Sequence, residues 1–206
     1  MKTLSFGLLL MACMTFVLLG CSDSSVVAPG DQSLPSPGAS VALEKGGAVV
    51  HSATGGGHVS DFWGGDVKWR LSFTAKQYEG NTFSGQLQFT DHAGLKFQGT
   101  VIDLKVVDNK AKICYTYTSG PWAGQFGCVV VADNGEGSNA TGPDMMSGFL
   151  WTDGTDIGTA TIPELTAMSP DEFISWIEDY VFPVLYGIPI PGPVLVPTSH
   201  GNIQVR

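Results

Sequence analysis

The sequence predicts a mainly β domain, an antiparallel barrel or sandwich, with one helix in its C-terminal half at about residues 169–182. Three observations predict it. Residues 67–76 and 83–89 alternate apolar and polar side chains with a period of two. The chain holds 27 glycines and only 14% charged residues, a balance that suits many turns between strands better than long solvated helices. One capping-box signature, Ser169-Pro170-Asp171-Glu172, opens a stretch of helical periodicity.

Three segments precede or form that domain. Residues 1–20 have the layout of a secretory signal peptide: Met1-Lys2, an uncharged apolar run from Leu4 to Leu19, and the small residue Gly20. The run is at the short edge of what spans a bilayer as a helix, so an uncleaved anchor or an ordinary signal peptide is the rival reading. Leu18-Leu19-Gly20-Cys21 resembles the lipobox of bacterial lipoproteins, over residues 1–21 only. That resemblance implies a diacylglycerol thioether on Cys21 with N-acylation, palmitate included, and a protein held on the extracytoplasmic side of a membrane by lipid. Several acyl chains anchor stably where one gives marginal binding. Ser22, rather than aspartate, follows the cysteine, which favours the outer membrane if the host is Gram-negative.

Residues 21–45 then form the lipidated cysteine and a disordered tether. Pro29, Pro35 and Pro37 lie among Gly, Ser and Ala without apolar periodicity. Some twenty flexible residues reach about 25 Å, enough to hold a domain clear of lipid headgroups. Residues 46–206 form a single β-rich domain, large enough for a sizeable core.

Charge narrows the partners. The chain has 10 Lys/Arg and 19 Asp/Glu. Removing residues 1–20 takes away Lys2 alone, leaving 9 − 19 = −10. Nucleic acid needs a basic patch, so it is excluded as a partner. Anionic lipid surfaces repel such a domain, so the lipid on Cys21 must do the anchoring.

Within the domain, Gly46-Gly47 and Gly55-Gly56-Gly57 evoke phosphate loops, but no Lys-Ser/Thr ending and no helix pattern follows. A strand or bulge where one backbone crosses another is the better reading. Trp69, Leu71, Phe73 and Ala75 face one way, against Lys68, Arg70, Ser72, Thr74 and Lys76. Phe83, Gly85, Leu87 and Phe89 continue that face after a turn at 77–81. Residues 95–107 form a longer strand whose phase shifts near Gly99, from Leu95/Phe97 to Ile102/Leu104/Val106, which predicts a bulge. Asp108-Asn109 turns into Ala111, Ile113, Tyr115 and Tyr117, and a second turn at 119–124 leads to Phe126–Ala132. In an exported chain, the even pair Cys114 and Cys128 reads as a disulfide stapling this hairpin, with Pro121 at its centre. Such a loop of about fifteen residues is worth ~3 kcal/mol in the chain-entropy model. A metal or redox pair is the rival, but the spacing is not C-x-x-C.

Asp133-Asn134-Gly135-Glu136 opens an irregular loop to Asp144, and Asp153-Gly154-Thr155-Asp156 is a second acidic turn. Acidic loops can hold calcium through oxygen ligands. The EF-hand spacing is missing, so turn-forming chemistry is the better reading, and no cofactor is expected beyond that calcium possibility. After Ser169, Phe173, Ile174, Trp176, Ile177, Tyr180 and Val181 recur at helical spacing, and Pro183 ends the pattern. Residues 188–197 are proline-rich and extended, and 200–206 read as a closing strand.

Four short stretches are similar to a family of secreted bacterial β domains often found after choice-of-anchor modules. They are Gly85-Gln86-Leu87-Gln88-Phe89-Thr90-Asp91-His92, residues 111–117, Asp133-Asn134-Gly135-Glu136, and Gly201-Asn202-Ile203-Gln204-Val205. The likeness covers residues 46–152 and 199–206, while 155–198 depart from it. It implies a compact β barrel or sandwich and carries over no catalytic residue, since the family has no established activity.

No specific catalytic motif occurs, and no catalytic residue is assigned. His58, His92, Asp61, Asp66 and Asp91 are the residues from which acid–base chemistry would have to be built. Trp63, Trp122 and Trp151 lie in Gly-, Asp- or Pro-flanked stretches where aromatics could stack on sugars; packing is the rival explanation. The expected role is a lipid-anchored, non-enzymatic envelope interaction or structural domain that meets another envelope protein. A glycan- or small-ligand-binding lipoprotein is the alternative, and a hydrolase stands third.

Overall fold

The computed structural model describes residues 47–60, 68–91, 93–147, 150–152, 160–185 and 193–206. The leader, Cys21, the tether, Asp61, Trp63, Asp66, His92 and the acidic turn at 153–156 lie outside the described residues. Among the described residues ten strands form one antiparallel sheet. They are β1 (Val49–Ser60), β2 (Lys68–Tyr78), β3 (Thr82–Thr90), β4 (Lys96–Val107), β5 (Lys110–Ser119), β6 (Phe126–Ala132), β7 (Met145–Ser147), β8 (Leu150–Thr152), β9 (Leu195–Pro197) and β10 (Ser199–Val205). The spatial order is β10-β1-β2-β3-β4-β5-β6-β7-β9, with β8 also beside β6. The sheet is nearly closed and barrel-like, so the mainly β expectation holds.

The β2–β3 hairpin follows the predicted alternation. Leu71, Phe73 and Ala75 are buried opposite Phe89, Leu87 and Gly85, while Arg70, Ser72 and Thr74 face out. The three-residue turn places Gly80 and Asn81 at φ 80° and 58°, the left-handed region that glycine and asparagine tolerate. The glycines of β1 allow the close backbone approach expected of them. Gly55 sits at φ 145°, and a Cβ there would lie 2.2 Å from the Asn202 carbonyl oxygen.

β4 corrects one detail of the sequence reading. Its register slips between Gln98 and Gly99 and again between Val101 and Asp103. The inward set is therefore Phe97, Gly99 and Val101, then Leu104, and Ile102 is the extra residue, pointing out and 40% exposed. A bulge lets two residues of one strand oppose one of its partner, and this one flips Ile102 from the face its neighbours suggested.

β5 and β6 are buried on both faces. Inside, Ile113, Tyr115, Tyr117, Val129 and Val131 join Leu71, Leu87, Phe89 and Phe97 in the main core. Outside, Cys114, Cys128, Val130 and Phe126 meet Leu165, Phe173, Ile177 and Val181. Cys114 and Cys128 are directly opposed in the register, 4.1 Å apart at Cα, and disulfide-bonded. The staple predicted from their spacing is present.

The outer layer consists of α1 (Ile162–Ala167), α2 (Pro170–Trp176) and a wider, π-type continuation, Ile177–Leu185, which carries Pro183 inside it. α2 begins at the predicted cap, Ser169, whose side chain accepts from the Glu172 amide while Glu172 accepts from the Ser169 amide. α1 was missed, although Thr161-Ile162-Pro163-Glu164 carries the same capping box. These helices pack on the outside of the sheet. Lys112 of β5 fixes them there. It is fully buried, and its Nζ donates to the carbonyl oxygens of Leu165 (2.5 Å), Thr166 (3.0 Å) and Met168, at the C-terminal end of α1. The same ammonium lies 5.7 Å above the Phe173 ring of α2. Burial pushes Lys112 down to about 8, against the pull of nearby Asp103. Asp103, itself buried, is pushed up by its own burial and held back by Lys105 and Lys112. An exposed ion pair, Lys110–Asp171 at 2.6 Å, adds a second link between β5 and α2.

In the barrel interior Tyr115 and Tyr117 share a hydroxyl–hydroxyl hydrogen bond of 3.2 Å. Gly127 makes room for Tyr115, since a Cβ there would lie 2.9 Å from the ring. Burial raises the Tyr115 phenol well above its ordinary value and pushes Tyr117 up to about 12. The native state thus holds both protons more tightly than the unfolded chain, a stabilisation present below pH 10 and lost as pH rises through the folded values. Lys112 acts the other way, since its depressed value makes stability rise between about 8 and 10.5. Urea midpoints measured against pH should therefore rise between about pH 8 and 10 and fall above about pH 10, where two tyrosines outweigh one lysine, and Tyr115 and Tyr117 should add little to the native phenolate absorbance at about pH 11.

Candidate functional site

Two places in the fold gather polar side chains. The first is where the sheet closes. The outer edge of β10 turns two amides away from β1, and the loop after β6 meets them with carboxylates. Ile203 N–H donates to Asp144 Oδ2 (2.7 Å), and Val205 N–H donates to Asp133 Oδ2 (3.1 Å). Asp144 Oδ1 also accepts from the Asn134 amide (2.9 Å), and Asp133 Oδ1 from the Gly135 amide (2.9 Å). Glu136 Oε1 accepts from the side-chain amides of Asn202 (2.7 Å) and Gln204 (2.9 Å). Those two bonds, Gln204 first, hold the Glu136 carboxyl below its usual range. Asn109, in the β4–β5 turn, donates to Asp133 O and Asn134 Oδ1.

Residues 133–136 and 201–205 are thus in direct contact. The acidic loop considered for calcium spends its carboxylates on main-chain and amide donors. Among the described residues no cluster of three or more metal-ligating side chains occurs.

The second place is an outer recess of about 270 Å³ across β1–β5. Ser72 and Thr74 of β2, Gln86 and Gln88 of β3, and Gln98 and Thr100 of β4 line it. The register aligns them in two rows, Ser72–Gln88–Gln98 and Thr74–Gln86–Thr100. All six are neutral. On the same face charge begins in the adjoining rows, at Arg70, Lys76 and Lys96. Sequence reasoning saw these positions only as a wet face. The signal it passed over was the unbroken run of uncharged amides and hydroxyls on three adjacent strands.

The other sequence candidates are scattered. The Trp122 ring is half-buried, stacked on Phe97 at 4.3 Å and edge-on to Tyr117 at 5.6 Å, so it closes the end of the aromatic core. Trp151 pairs through its backbone with Gly127; its side chain, like all of Trp63, is outside the described residues. Trp69 packs against the core, as its phase predicted. His58 is exposed and stacks on His200 at 6.1 Å. Among the described residues no carboxylate pairs with either histidine. Asp91 Oδ1 accepts from the Leu95 amide (2.7 Å), which closes the β3–β4 turn. A comparison with protein-family models, with curated proteins and with solved structures finds no match to this chain.

Asp144 is buried and serves two amides, so truncation orphans both. Asp144→Ala should lower the unfolding free energy by about 3 kcal/mol in urea melts, and Asp144→Asn by less, because its amide oxygen still accepts one of them.

Proposed function

We propose that this chain is a lipid-anchored extracytoplasmic protein whose β domain acts as a non-enzymatic interaction module of the cell envelope. The observation that carries the reading is the Cys114–Cys128 disulfide, fully buried between sheet and helices. Such bonds persist in oxidising compartments, which agrees with export directed by residues 1–20 and acylation of Cys21. The tether at 21–45 then sets the domain off the membrane, and the lipid holds a domain whose charge would otherwise drive it from anionic surfaces.

The disposition of the titratable groups supports a binding role over a catalytic one. Asp133, Glu136 and Asp144 close the sheet, and Lys112 joins sheet to helices. Each is occupied in holding the fold. The outward strand faces offer neutral hydrogen-bonding groups instead.

Metabolic labelling with an alkynyl palmitate tests the anchor. The wild-type chain should take up label and partition into detergent, and Cys21→Ser should lose the label and retain an uncleaved leader. Unchanged processing and detergent partitioning in Cys21→Ser would refute the lipid anchor.

A further inference from the structure

We propose that the outer recess across β2, β3 and β4 binds an uncharged, extended oligosaccharide. The inference deepens the reading of the domain as an outward-facing interaction module and rests on it.

Four observations carry it. The six side chains named above bear amides and hydroxyls, each able both to donate and to accept. None of them makes a hydrogen bond within the described residues, so their capacity is turned to whatever occupies the recess. The six side chains carry no charge, and the nearest cations, Arg70, Lys76 and Lys96, lie one row beyond them. The backbone below it is also spoken for: β2, β3 and β4 each have partners on both sides. A peptide that docks by adding a strand needs an open edge, and the middle of this sheet has none. What remains is recognition through neutral side chains alone, which suits a polyhydroxylated chain.

Spacing argues for an extended one. Neighbouring strands lie about 4.8 Å apart, close to the length of one pyranose in an extended β-linked chain. Gln88 and Gln98, one strand apart in one row, and Gln86 and Thr100 in the other, would then address successive sugars lying across the strands. At about 270 Å³, near the lower bound of roughly 300 Å³ for ligand pockets, the recess is a shallow track and holds no enclosed ligand.

The test is isothermal titration calorimetry on the full chain in detergent, with the disulfide intact. The probes are tetra-N-acetylchitotetraose, cellotetraose, their monomers, tetragalacturonate as a charged control and a neutral Ser/Thr peptide. The proposal expects saturable binding of a neutral tetrasaccharide, weakening about tenfold or more from tetramer to monomer as hydrogen-bonding sites are lost. Gln86→Ala/Gln98→Ala should weaken it by about tenfold at an unchanged melting temperature. Thr74→Val/Thr100→Val, which keeps shape and strand preference, should do the same should the first variant fold poorly. No saturable heat with either neutral tetrasaccharide would overturn the proposal, as would unaltered affinity in a folded variant. A preference for tetragalacturonate or for the peptide would also overturn it. Cys21→Ser should bind as the wild type does, so failure of the anchor and failure of the recess show in different measurements.

Discussion

A sheet that curls towards closure must dispose of the amides on its last edge, because unpaired strand edges invite association with other chains. Here the last strand, β10, is met by side chains in place of a strand. Asp144 and Asp133 take the Ile203 and Val205 amides, and Glu136 takes the amides of Asn202 and Gln204. Charge-assisted bonds of this kind are stronger than neutral ones, so a few carboxylates do the work of a missing ladder. The arrangement places β10 between β1 and the loop after β6. On its other edge Arg206 extends the β1–β10 pairing by exchanging two backbone hydrogen bonds with Ser52 at 2.8 Å.

The second constraint is the two-sided burial of β5 and β6. Their inner faces belong to the barrel and their outer faces to the helices, with the disulfide and Lys112 between them. An ammonium so placed finds three carbonyls at the end of α1, where the helix dipole favours positive charge, and an aromatic face at Phe173. Ser147 makes a smaller repair on the same wall. β6 changes partner from β8 to β7, and the Val130 amide at the change donates to the Ser147 hydroxyl at 2.8 Å. The helices thus thicken one wall, while β2, β3 and the first part of β4 keep a bare polar exterior. That asymmetry leaves one face available for an external ligand.

How much of this was legible depends on how local each cause is. The β2–β3 hairpin, the Cys114–Cys128 staple and the Ser169 cap rest on period-two alternation, symmetric spacing and a four-residue signature, all visible in one dimension. The Ile102 flip was not, because a bulge is decided by pairing with β5. The continuous apolar run Phe126–Ala132 signalled a strand covered on both sides, and the Thr161 capping box signalled α1; both marks stand in the sequence and were passed over. The closure of the sheet was out of reach. Asp133 and Asp144 read as turn residues until Ile203 and Val205, some sixty to seventy positions later, are brought beside them. The recess was hidden for the same reason, since its rows run across three strands.

The central claim is that carboxylates close the sheet. Amide hydrogen exchange at Ile203 and Val205, followed by NMR in the wild type and in Asp144→Ala, addresses it most directly. The account predicts that both amides exchange as slowly as those of the central strands β3 and β4 in the wild type. It predicts that Asp144→Ala exposes Ile203 selectively while Val205, held by Asp133, stays the more protected of the two. Rapid exchange of both amides in the wild type, beside well-protected β1–β10 pairing, would contradict it.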